Sequence, residues 1–141
     1  MKDGLFKVGT GLHKAVLRAT KGRLLGRAGG MPVLILTTTG RRSGTKRSTV
    51  LTSPICEHDR VLLVASYGGD DRHPAWFLNL RDDPEVTVTM AGEERTMRAR
   101  VATGEEKAAL WARVVGAYRG YARYQRNTGR DIPVVVLEHP G

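Results

Sequence analysis

Apolar side chains recur along the chain at two different spacings, and the change of spacing divides it. Leu5, Val8, Leu12, Ala15, Val16 and Ala19 return every three or four residues, with Lys7, Lys14, Arg18 and Lys21 falling mostly between them. That is the period of an amphipathic helix, predicted here over 5–25. Gly4, Gly9 and Gly11 each weaken it by about 1 kcal/mol relative to Ala. Arg27-Ala28-Gly29-Gly30 reads as a linker. Residues 1–29 are therefore expected to form a basic amphipathic helix or extension, and 30–141 the main domain.

From Met31 onward the pattern shortens to β-branched and apolar runs bounded by turn residues. These predict strands at 33–39, 47–55, 60–66, 85–90, 94–101 and 132–137. Glu57-His58-Asp59 forms one hairpin tip and Ala91-Gly92 another. A loop is expected over 67–74 and a short helix over 76–81, stopped by Pro84. Thr103 and Glu106 match a capping box, in which each side chain satisfies the other's free backbone N–H. A helix over 104–125 should follow, carrying Leu110, Val114, Ala117 and Tyr121 on one side. Six strands joined mainly by hairpins, with few helices, predict an α+β fold that is mainly β: an antiparallel barrel or sandwich with packed helices.

Charge then changes the picture. The 141-residue chain carries a formal net charge of +9. Residues 1–47 hold 11 basic side chains and one acidic; residues 48–141 hold 12 and 13. The basic excess lies wholly in the first third. The 40% hydrophobic share excludes a disordered polycation. A single cysteine, Cys56, excludes a disulfide framework and any multi-cysteine metal site. No apolar run approaches the roughly 20 residues that cross a bilayer, and no secretory signal pattern opens the chain. The expected compartment is the cytoplasm. The basic residues are not interleaved with aromatics, so no nucleic acid is expected as partner.

Three places hold candidate chemistry. Gly40-Arg41-Arg42-Ser43-Gly44-Thr45-Lys46-Arg47 combines glycines, which let backbone N–H groups approach a ligand, with four cations and two hydroxyls. It suits a phosphate or polycarboxylate; a solvated basic turn is the alternative. The second runs from Ala65-Ser66-Tyr67-Gly68-Gly69 to His73-Pro74-Ala75-Trp76-Phe77-Leu78-Asn79-Leu80. A strand end, a glycine pair and a helix start could form one wall of a planar-ligand pocket; otherwise Trp76, Leu78 and Leu80 are core. The third is Tyr118, Tyr121 and Tyr124, whose spacing places three phenols along one helix face. A phenol can donate a proton or hold a carbonyl oxygen; core packing is the alternative. No metal is expected, since His73 has no ligating cluster around it.

Taken together, the run 34–44, Val64-Ala65-Ser66, the run 73–80 and the Tyr118/Tyr121/Tyr124 series resemble the deazaflavin-dependent nitroreductases, actinobacterial oxidoreductases that use coenzyme F420. The similarity covers about 31–137. The resemblance implies a six-stranded antiparallel split β-barrel, of the type shared with FMN-binding pyridoxamine-phosphate oxidases. It implies that Arg41, Arg42 and Ser43, with Lys46, hold the phosphate and oligoglutamate tail of F420. Arg47, Ser48, Thr49, Val50, Leu51 and Thr52 would run beside the deazaflavin. Val64, Ala65, Ser66 and Tyr67, then Ala75, Trp76, Phe77, Leu78 and Asn79, would complete the cofactor wall. Tyr121 would close the pocket, and Tyr118, Tyr121 and Tyr124 would face the substrate as the catalytic set.

The activity so implied is hydride transfer from reduced F420 to a quinone or another electron-poor acceptor, nitroaromatics included. A non-catalytic F420-storage protein and an FMN-binding barrel are the other readings. Tyr67 stands where the family pattern leads us to expect lysine, and the segment before Cys56 is one residue longer; both bear on substrate choice. The assembly is expected to be a monomer or homodimer. The basic stretch 5–27 offers a peripheral contact with the inner face of the cell membrane.

Overall fold

A computed structural model describes residues 27–28, as backbone, and 30–140. The helix expected over 5–25 lies outside these residues. Eight strands follow in order: β1 (Arg27–Ala28), β2 (Met31–Thr39), β3 (Lys46–Thr52), β4 (Ile55–Cys56), β5 (Arg60–Val64), β6 (Glu85–Met90), β7 (Glu93–Val101) and β8 (Val134–Glu138). Among the described residues three α-helices accompany them: α1 (Ala75–Asp82), α2 (Gly104–Ala117) and α3 (Gly120–Arg126). Every described pairing is antiparallel. The sheet path runs β1-β2-β6-β7-β8-β5-β4, and β3 pairs with β2. The mainly β, α+β architecture thus agrees with the expectation, and the six strands of five or more residues correspond to the six expected runs.

The differences have local causes. Arg27 and Ala28 are not a linker but pair with Pro32 and Met31, turning through Gly30 at φ 80°, a conformation that favours glycine. The expected strand over 47–55 is interrupted at Ser53-Pro54. Pro54 has no N–H to give a ladder, and the single O–H of buried Ser53 is shared between the carbonyls of Ile55 (2.9 Å) and Leu62 (2.7 Å). The capping box does not form: Thr103 occupies the N-cap with no side-chain bond. Glu106 is taken by Arg100, whose Nη1 and Nη2 lie 2.7 and 2.8 Å from its two oxygens. The long helix expected over 104–125 breaks at Tyr118, which leaves the helix with φ −152° and ψ 107°.

Two apolar clusters lie on the two sides of the sheet. Leu34 and Leu36 of β2, Leu63 of β5, Val86 and Val88 of β6 and Val135 of β8 pack with Trp76, Phe77 and Leu80 of α1. Leu62, Val64, Val134 and Val136 point the other way and pack with Leu110 and Val114 of α2 and Tyr121 of α3. Because side chains alternate across a strand, β5 and β8 are apolar at every position from Val61 to Val64 and from Val134 to Leu137, and all are buried.

Candidate functional site

The turn between β2 and β3 forms one rim of a cavity of about 360 Å³. Its form comes from the glycines. Gly40 N–H donates to the Thr45 carbonyl (2.7 Å), and Gly44 N–H to the Gly40 carbonyl (2.8 Å). Gly44 takes φ 73°, while a β-carbon on Gly40 would come within 2.8 Å of Ser43 Oγ. Thr38, Gly40, Arg41, Arg42, Ser43, Arg47 and Thr49 line the cavity on this side, and Ala75, Trp76 and Asn79 of α1 on the other. Thr38 was not named as a site residue from the sequence, although the polar run leading into the glycine turn marks the place.

Register explains which residues of β3 reach it. Thr38, Leu36 and Leu34 pair with Arg47, Thr49 and Leu51 on the side of the first cluster, so the cavity is the mouth of that core. Ser48, Val50 and Thr52 fall on the opposite side. There Ser48 Oγ shares a hydrogen bond of 2.8 Å with Thr37 Oγ1. Lys46 Nζ donates to Thr39 Oγ1 at 3.0 Å. The β3 set named from the resemblance is therefore divided between two faces, with Arg47 and Thr49 lining the cavity.

Asn79 holds the turn. Its Oδ1 accepts from the Arg41 backbone N–H (3.1 Å) and from Arg41 Nη1 (3.0 Å). Its amide nitrogen donates to Thr38 Oγ1 at 3.3 Å. Both Thr38 and Asn79 are buried. Arg41, Arg42, Lys46 and Arg47 are exposed, and among the described residues none pairs with a carboxylate. Three arginines, Arg41, Arg42 and Arg47, line the cavity with no described carboxylate paired to them, which leaves a strong positive potential there, suited to a polyanionic ligand.

The second candidate wall divides as well. Ala65, Trp76 and Phe77 belong to the first cluster with Leu78 against it, whereas Val64 faces the second. Ser66 leads into a tight turn at Tyr67–Gly69, with Tyr67 at φ 47°. His73 lies against Phe77 with centroids 4.8 Å apart. Burial, then the charges of Arg130 and Arg81, hold the His73 imidazolium below its ordinary value.

The three tyrosines do converge, despite the helix break. Ring centroids stand 5.3 Å apart for Tyr118 and Tyr121, 6.0 Å for Tyr121 and Tyr124, and 6.5 Å for Tyr118 and Tyr124. Gly120 makes this possible, since a β-carbon there would collide with the Tyr118 ring. Tyr121 Oη donates to Met31 Sδ at 3.6 Å, on the face of the second cluster. Burial pushes the Tyr121 phenol above its usual value. A hydrogen bond with Tyr118, followed by burial, does the same for Tyr124. Both phenols stay protonated through the neutral range.

Among the described residues no group of His, Cys, Asp and Glu could hold a metal ion. No described helix is long and apolar enough to cross a membrane.

The family model described as F420H(2)-dependent quinone reductase matches residues 10–139. An F420H(2)-dependent quinone reductase of Mycobacterium tuberculosis is 38% identical over 131 residues, 89% of this chain and 87% of the relative. The solved structure of an F420-H2 dependent reductase superposes with a TM-score of 0.68 at 40% identity, covering 76% of this chain and 94% of that one. A second solved relative, described as a domain-swapped dimer, gives a TM-score of 0.69 at 36% identity, with 89% and 99% covered.

Proposed function

The chain belongs to the F420H(2)-dependent quinone reductase family, and from that premise we propose how its cavity and tyrosine cluster divide the work. The protein is an F420-dependent oxidoreductase that reduces quinones. The cationic rim of Arg41, Arg42 and Arg47, which line the cavity with no described carboxylate paired to them, is the observation that carries the assignment of the cofactor site. These cations and the Ser43 hydroxyl suit the phosphate and glutamates of the F420 tail. Trp76 offers an apolar wall beside them. When bound, the reduced coenzyme supplies a hydride; the protein supplies orientation and electrostatics.

Asn79 holds Arg41 at the rim. On the far side of the β2–β3 ribbon, Tyr118, Tyr121 and Tyr124 would present their phenols to the acceptor. A phenol or water delivers one proton to the quinone oxygen as the hydride adds, so that quinone, hydride and proton give the quinol. Nitroaromatics would be reduced as further electron-poor acceptors.

The alternating faces of β5 and β8, apolar on both, support a split β-barrel of the FMN-binding type for the sheet. The relative described as a domain-swapped dimer favours a homodimer over a monomer. We place a basic extension ahead of the main domain, whose sheet Arg27 and Ala28 already join, in the cytoplasm, with peripheral membrane contact through the extension.

Reduced F420 mixed with protein and menadione tests the reaction. Coenzyme oxidation above the protein-free rate is expected. No turnover across several quinones would overturn it, and tight binding without turnover would select a storage protein.

A further inference from the structure

We propose that Arg130 is a positioning residue of the reductase site, locking the 66–73 loop to the tyrosine cluster and so setting the distance between the cofactor wall and the acceptor. The proposal rests on the site reading above. Neither the charge pattern nor the resemblance pointed to Arg130; it lies in the link between α3 and β8.

All three nitrogens of its guanidinium are committed to one loop. Nε donates to the Asp70 carbonyl at 2.9 Å, Nη2 donates to the Ser66 carbonyl at 3.0 Å, and Nη1 lies 3.3 Å from His73 Nδ1. Arginine is always a donor, so Nδ1 is the acceptor and the neutral ring carries its proton on Nε2. A planar fork with donors in fixed directions can do this; a lysine ammonium cannot reach all three. The arginine is itself anchored from behind. Its carbonyl accepts from Gln125 Nε2 (2.7 Å), and its N–H donates to Thr128 Oγ1 (3.3 Å).

The surrounding contacts run the same way. Thr128 Oγ1 donates to Asp71 Oδ1 at 2.7 Å, and the Ala65 N–H donates to the Pro133 carbonyl at 3.0 Å. Gly69 sits so close to α3 that a β-carbon would meet the Tyr124 carbonyl at 3.0 Å. The loop thus leaves β5 at Ser66, is pinned at Ser66, Asp70 and His73, and delivers the chain to Ala75 and Trp76 at the cavity. Tyr121 and Tyr124 stand on the helix whose end holds the pin. One side chain therefore ties together the two parts that must meet the same pair of reactants.

Arg130→Lys and Arg130→Ala test this by three readouts. Hydrogen exchange at the Gly69 and Asp70 amides should quicken about tenfold in Arg130→Lys, the scale of a lost charge-assisted bond, while β5 and β8 stay protected. The acceptor KM should rise about tenfold by the same arithmetic, with coenzyme Kd within about twofold because the 40–47 turn is untouched. Arg130→Ala should go further in both. Unchanged exchange overturns the proposal. So does quickened exchange with an unchanged acceptor KM, or a loss of coenzyme affinity and turnover that merely follows the melting temperature. If Arg130→Ala does not fold, Arg130→Lys decides. If the wild type turns over no quinone, the site reading fails, and the exchange data still judge the pin.

Discussion

Arg41 and Asn79, 38 positions apart, meet at one oxygen: the backbone N–H and Nη1 of Arg41 both donate to Asn79 Oδ1, at 3.1 and 3.0 Å. An amide buried in α1 thereby fixes both the path of the β2–β3 turn and the direction of its first cation. Asn79 is best understood as the anchor of the rim, since its oxygen takes both donors and its nitrogen is spent on Thr38.

Replacing that amide separates two effects. Asn79→Ala leaves the Thr38 hydroxyl and Arg41 N–H unsatisfied and should cost about 1–3 kcal/mol of stability, read as a lower melting temperature. Asn79→Asp keeps the acceptor but adds a carboxylate beside Arg41. It should fold with a smaller loss, yet bind F420 more weakly, because the cavity loses net positive charge. Equal affinity in Asn79→Asp and the wild type would contradict the electrostatic role of the rim.

Gly120→Ala should disturb the tyrosine cluster alone. The added methyl collides with the Tyr118 ring, and overpacking of this kind costs about 1–3 kcal/mol. Tyrosine fluorescence and quinone KM should both change while coenzyme Kd does not. An unchanged KM would show that the position of Tyr118 is irrelevant to the acceptor.

Alkaline titration reads the cluster's burial. The folded Tyr121 phenol ionises above its ordinary value, chiefly through burial, whereas the unfolded phenol ionises near 10. Above that pH the unfolded chain releases the proton first, so this stabilisation is present below pH ~10 and lost as pH rises through the folded value. Tyr121→Phe should flatten that part of the curve of melting temperature against pH. A wild-type curve that is already flat would contradict the burial.

The acid side has the opposite sign. His73 titrates below its ordinary value in the folded protein, through burial and then Arg130 and Arg81. Its contribution is present above pH ~6.5 and lost as pH falls through the lowered folded value. The ring signals of His73 followed by NMR should shift at lower pH than those of a free histidine, and Arg130→Ala should move the midpoint up. A midpoint at the free value would remove both causes.

Much of this was legible in the sequence because its signals are local. The β-branched runs located six strands, and the glycine-bounded cluster 40–47 located the cationic rim. What escaped was tertiary. Nothing in the run Tyr118-Arg119-Gly120 announces that the helix breaks there, since the apolar period continues through it. The capping box failed because Arg100, on β7, takes Glu106, a contact with no sequence signature. The division of β3 into two faces follows from alternation, but which residues face the cavity needed the pairing of Thr38 with Arg47. Arg130 has no local pattern at all; its role exists only where three loop groups converge on it.

A binding titration of F420 against FMN tests the central claim most directly, comparing the wild type with an Arg41→Ala/Arg42→Ala variant. The cationic rim predicts saturable F420 binding at least about tenfold tighter than FMN, the step worth roughly 1.4 kcal/mol, because F420 carries the longer anionic tail. That preference should shrink in added salt and largely disappear in the double variant. FMN bound as tightly as F420, or a preference that survives loss of both arginines, would contradict it.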